Sequence, residues 1–91
     1  MTDAFRDNRD DNRFELEVDG LLAFADYQRR DGKLVIPHVE ADMALRGTGA
    51  AGRLMEKVAL TAREEGAKIV PLCSYAAAWL RRHRDFDDVV A

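Results

Sequence analysis

Ninety-one residues are enough for one domain, which buries roughly 60–65% of the surface its unfolded chain would expose, and too few for a complete dinucleotide-binding or P-loop enzyme. With 47% hydrophobic and 34% charged residues and a net charge of −3, the composition is globular and lacks the basic excess of a nucleic-acid binder. No apolar run approaches the roughly 20 residues that span a bilayer, no leader pattern opens the chain, and the single cysteine, Cys73, excludes an internal disulfide. A cytoplasmic protein with no membrane or nucleic-acid partner is expected.

The opening MTDAFRDNRDDN is polar, charge-dense and without period, so residues 1–11 read as a loose, flexible arm and residues 12–91 as the folded domain. In RFELEVDG, Phe14, Leu16 and Val18 alternate with Arg13, Glu15 and Glu17, the period of a half-buried strand. Asp19-Gly20 is a hairpin turn signal. A second strand from Leu21 to about Arg29 ends at another, Asp31-Gly32, and a third runs from Lys33 to about Glu40. After residue 45 the spacing becomes helical: Ala51, Leu54, Met55, Val58 and Ala62 share one face, and Gly66 stops the helix. AKIVPLC then reads as a short buried strand, and Ser74 is positioned to cap a last helix that ends near Arg82. The expected fold is α+β (a small α/β domain) in the order β-β-β-α-β-α. It is an antiparallel meander followed by a parallel strand reached through a right-handed helical crossover.

The stretch RGTGAAGRL, residues 46–54, carries three overlapping patterns. Gly47-x-Gly49-x-x-Gly52 satisfies the dinucleotide fingerprint, yet about five residues separate it from its strand and no carboxylate follows at the right distance. Gly47 and Gly52 have P-loop spacing, but Arg53-Leu54 stands where Lys and Ser/Thr are required. The third pattern, Arg46-x-x-Gly49-x-Ala51, fits its place between an antiparallel strand and a long helix. Helix-start amides and the positive end of the helix dipole favour a pyrophosphate. Gly47 and Gly49, with the small Ala50 and Ala51, let phosphate oxygens approach the backbone.

That six-residue pattern in that context resembles the acetyl-CoA signature of the GNAT acetyltransferases. With NRFEL at 12–16, HVE at 38–40, LRGTGAAGRLM at 45–55 and VPLCSYAAAWLRRH at 70–83, the chain is similar to the small, minimal GNAT proteins, the family of N-acetyltransferase domain-containing protein 1. The resemblance implies a central GNAT sheet without the usual first strand and two helices. It also implies acetyl-CoA as cosubstrate, no metal, an amine acceptor of undefined identity, and a monomer or weak homodimer. The family departs from this chain at Pro37, where relatives tend to carry an acidic or polar residue, and at His83-Arg84-Asp85-Phe86, where they tend to HPEY. Pro37 removes a ladder donor and so requires an edge or a bulge. A bulge is what the resemblance calls for, because GNAT sheets splay there to admit the pantetheine arm.

The resemblance implies a cofactor site built from Val39, Arg46, Gly47, Thr48, Gly49, Ala50, Ala51 and Cys73, with the arm bonding to backbone like an added strand. The thioester then lies near residues 38–40 and 72–74. His38 and Glu40, two apart on one strand face, are each a candidate base, directly or through water. Otherwise they are a rim histidine and a solvated glutamate. Cys73 stands before a helix, a position that favours thiolate, and in the resembling family it lies at the acetyl site; as a plain core residue it is a small hydrophobe. Tyr75 and Trp79, four apart, read as core and rim packing. A non-catalytic acetyl-CoA or CoA sensor is the alternative to an N-acetyltransferase.

Overall fold

The computed structural model describes residues 2–91. In chain order these form β1 (Asp3–Asn8), β2 (Arg13–Val18), β3 (Leu21–Arg30), β4 (Lys33–Ala41), α1 (Ala50–Glu65), β5 (Lys68–Pro71) and α2 (Ser74–Arg82). Short 3-10 turns cover Met43–Leu45 and Arg84–Val89. The five strands lie in sequence order in one sheet; the first four are antiparallel and β5 runs parallel to β4 across α1.

Both hairpin turns have the form their sequences require. Asp19 and Gly20 have φ of 51° and 84°, and Asp31 and Gly32 have 52° and 76°. Two consecutive positive φ values give the turn twist that matches the strands. Alternation then sends Phe14, Leu16, Val18, Ala23, Ala25, Leu34 and Ile36 to one face, and α1 lays Leu54, Met55, Val58, Ala59 and Ala62 across it. Leu54 is fully buried, so truncation to alanine costs about 2–5 kcal/mol. Helix α1 ends where expected: Gly66 turns left-handed at φ 69°, and the amides of Gly66 and Ala67 return to Arg63 and Ala62. At the far edge of the sheet the Ala91 amide donates to Ile69, so the C-terminal residues flank β5.

The expectation of a loose arm over residues 1–11 is corrected. Met1 lies outside the described residues, but Asp3–Asn8 pairs with β2 in an unbroken register from Asp3↔Val18 to Asn8↔Arg13. Its apolar signal is one residue, Phe5, stacked on Phe14 at 5.8 Å between ring centroids. The remaining side chains make tertiary polar contacts. Arg6 donates to Glu15, and Asp7 accepts from the Tyr27 hydroxyl and from Arg29. Charged side chains at a sheet edge leave no hydrophobic period to read. Asn12, at φ 52°, makes the turn into β2, and its carbonyl accepts the Tyr27 amide.

The face away from α1 holds Glu15, only 3% exposed, under Arg6, Arg13 and Asn8. Burial alone would raise this carboxyl; the hydrogen bonds from Arg13, Asn8 and Arg6 override it and bring it down to about 2.

Candidate functional site

The site begins with a break in the β3–β4 ladder. Residues pair from Ala23↔Ala41 to Asp26↔His38, and pairing resumes at Gln28↔Val35. Two β4 residues, Ile36 and Pro37, therefore face the single residue Tyr27, which is a β-bulge. Proline is tolerated there because no ladder bond needs its missing N–H, and the Tyr27 amide is satisfied by Asn12 instead. The bulge changes the side-chain phase. Before it Leu34 and Ile36 point into the core; after it Val39 and Ala41 pack on the core, and His38 and Glu40 stand exposed on the opposite face.

The same point ends the β4–β5 ladder, which runs only from Lys33↔Lys68 to Ile36↔Pro71. The Ile36 carbonyl accepts from both Leu72 and Cys73, at 3.0 and 3.1 Å, and the chain turns there into α2. Strand β4 continues through Ala41 without a neighbour on that side. The Asp42 amide donates to the Leu22 carbonyl, so in this phase the even residues of β4 bond to β3. The backbone groups of Val39 therefore face the gap between the strands.

Beside the gap the chain passes the 3-10 turn, whose start is capped by Asp42 accepting the Ala44 amide, and enters α1 through residues 46–49. Gly47 and Gly49 are both left-handed, at φ 78° and 79°. Thr48 between them donates its hydroxyl to the Leu45 carbonyl and accepts the Ala50 amide. The next two amides of the helix, those of Ala51 and Gly52, are the free donors every helix start leaves. A Cβ at Gly47 would meet nothing within 4 Å, so the loop borders open space. Open space and left-handed glycines at a helix start are features that anion cradles share. Arg46 is exposed, and no described side chain pairs with it.

The small residues of this loop serve different purposes. Ala50 is buried, and its methyl packs in the core. Gly52 lies under α2: a Cβ there would come within 3.3 Å of Trp79 Nε1 and 3.8 Å of the Tyr75 hydroxyl. That contact seats the last helix against the start of α1. Trp79 is buried and stacks on His83 at 3.8 Å, and Tyr75 is half-buried, its hydroxyl pushed up by burial with Arg82 opposing. The N-cap of α2 is Cys73, whose carbonyl accepts from Ala77; Ser74, expected to cap, is the first helical residue. Cys73 is half-buried against the core.

Residues 13–89 match the family described as GCN5-related N-acetyl-transferase. The chain belongs to this family. No curated protein matches it significantly. The mixed five-stranded sheet, with its parallel β4–β5 pair and its helices, agrees with a minimal α+β fold of this GCN5-related type.

Within that frame the residues singled out from sequence fall into three groups. His38 and Glu40 are together, with Nε2 3.0 Å from Oε1, and 52% and 61% of their side chains are exposed. Val39 and Cys73 border the strand gap from its two sides, and the Cys73 amide donates to the carbonyl of Ile36 in the bulge. Arg46 to Ala51 form the helix entrance. The sequence marks Arg53 as the wrong residue for a P-loop and as part of the polar face of the helix, but not its contacts. Arg53 reaches back to donate to the Thr48 carbonyl at 2.6 Å and to Asp3 in β1. Its position one turn into the helix is visible in sequence; its partner fifty residues away is not. No helix among the described residues is long and apolar enough to cross a membrane, and they contain no group of metal-ligating side chains.

Proposed function

We propose that this chain binds acetyl-CoA in the gap between β4 and β5 and transfers the acetyl group to an amine. The observation that carries the reading is the coincidence at one place of three features. The bulge at Pro37 leaves the Val39 backbone free, Cys73 turns the other strand away, and the glycine loop at α1 presents amides beside both. Free backbone on a strand edge suits an extended amide-bearing arm. The loop amides of Gly49, Ala51 and Gly52 suit a pyrophosphate, and Arg46 adds an exposed cation.

Acetyl-CoA supplies the activated acetyl thioester. The protein's own groups position the acceptor and remove its proton. With Glu40 ionised, its carboxylate can only accept, so His38 carries its hydrogen on Nε2 and keeps Nδ1 as a base. Glu40 serves as the base where water bridges it to the amine instead. The Cys73 thiol lies at the turn that closes the gap, within the region assigned to the acetyl end. The mode is direct attack by the amine, in which proximity supplies much of the acceleration. On its free thiol the protein is taken as cytoplasmic.

A second reading, a CoA-binding module without efficient turnover, draws on the exposure of His38 and Glu40, because little surrounds an acceptor there. Calorimetry with CoA, acetyl-CoA, NAD and ATP, followed by acetyl transfer to a panel of polyamines and peptides, separates the possibilities. Binding of NAD tighter than CoA overturns the cofactor assignment. CoA binding without transfer to any amine favours the second reading.

A further inference from the structure

Arg53 occupies the first turn of α1, and its guanidinium is held on two sides. Nε and Nη2 donate to the two carboxylate oxygens of Asp3 at 2.6 and 3.2 Å, and Nη1 donates to the Thr48 carbonyl at 2.6 Å. A two-point contact with a carboxylate fixes the plane of the guanidinium as well as its location. The chain has no cis peptide bonds, so the carbonyl of Thr48 and the amide of Gly49 point to opposite sides of one planar unit. Drawing the Thr48 carbonyl back toward Arg53 therefore turns the Gly49 amide away from it. Gly49 itself is left-handed at φ 79°, and its carbonyl accepts the Arg53 amide, so Arg53 holds both peptide units that flank this glycine. Asp3 belongs to β1, which precedes the residues matched to the family, 13–89.

We infer that Asp3 and Arg53 form a positioning relay that orients the Gly49 amide toward the cofactor pyrophosphate, so that β1 sets the affinity for CoA. This rests on the acetyl-CoA assignment above. Arg53 acts here by geometry, since Asp3 neutralises its charge, and neither residue is a catalytic residue. The relay is also why the N-terminal strand carries Asp at its first position: the register Asp3↔Val18 sets that residue at the end of β1, in contact with α1.

The test compares CoA with pantetheine, which has the same arm but no phosphates. Calorimetry gives CoA affinity for the wild type, Asp3→Ala, Arg53→Met and the double variant, and NMR titration gives that of pantetheine. Asp3→Ala is expected to weaken CoA about three- to tenfold and Arg53→Met at least tenfold. The double variant is expected to be no weaker than Arg53→Met alone, because Asp3 acts only through Arg53. Pantetheine affinity is expected to stay unchanged in all three, and Arg53→Lys, which keeps one donor for Thr48, to recover part of the loss. If Arg53→Met does not fold, Asp3→Ala, at an exposed strand end, decides alone. Unchanged or tighter CoA binding by Asp3→Ala overturns the relay and leaves the cofactor assignment standing. Equal weakening of pantetheine overturns it too, since general loosening would do that. A wild type that does not bind CoA overturns both.

Discussion

Replacing Gly49 tests the cofactor loop at its most constrained point. At φ 79° an L residue is forced into the left-handed region, which costs about 1–2 kcal/mol and more for a β-branched side chain. The space itself is available in the free protein, because an added Cβ would lie 3.5 Å from Arg53 Nη1, an ordinary contact. The stability loss is therefore conformational. Each kcal/mol lowers Tm by about 4–8 °C in a domain of this size. Gly49→Ala is expected to lose that amount, and Gly47→Ala, at φ 78° with nothing within 4 Å of its Cβ, to lose about the same. The two sites have matched strain, so any difference between them in CoA affinity reports on contact with the ligand. Gly49→Val sets a branched Cβ at the helix entrance and is expected to weaken CoA at least tenfold, about 1.4 kcal/mol. Calorimetric unfolding and CoA titration of the same preparations measure both quantities. A folded Gly49→Val protein with wild-type CoA affinity removes the loop from the cofactor site. A Gly49→Ala protein with unchanged Tm refutes the strain argument.

Arg46→Ala is expected to weaken CoA less than Gly49→Val does, because an exposed charge contributes little beside a set of fixed amides; a larger loss in a parallel titration would reverse that ranking. Acetyl-CoA is expected to protect the Cys73 thiol from alkylation, followed by mass spectrometry, and Cys73→Ser to retain transfer. Loss of transfer with CoA binding intact would point to a covalent route through the thiol. The Glu15 carboxyl is brought below its ordinary 4.5 to about 2, so its contribution to stability is complete above pH 4.5 and lost as pH falls from there toward 2. Glu15→Gln should lower stability at pH 7 and flatten the denaturation midpoint across that window; an unchanged acid limb would show that other groups control it.

Local chemistry already determined much of this protein in the sequence. Asp-Gly pairs set the two hairpins because few residues tolerate consecutive positive φ, and the period of 2 in residues 13–18 fixed which face of β2 meets the core under α1. The helical period from Ala51 to Ala62 located α1, and Pro37 required an edge or a bulge because a regular strand interior cannot accommodate a missing donor; the fold supplies the bulge. Contacts between distant residues needed the tertiary structure. Strand β1 has no apolar period, since its charges are satisfied by Glu15, Arg29 and Arg53, and only the assembled sheet brings those partners together. Ala50 and Gly52 look alike in a glycine-rich loop, yet one fills the core and the other seats Trp79, a difference set by the direction each faces once α2 has packed. The His38–Glu40 contact follows from strand alternation, but its exposure follows from the phase change at the bulge. Spacing along the chain encodes the periodic and the local; which charge meets which across the fold depends on how the sheet and helices pack, and Arg53 shows it by holding Asp3 and the Thr48 carbonyl at once.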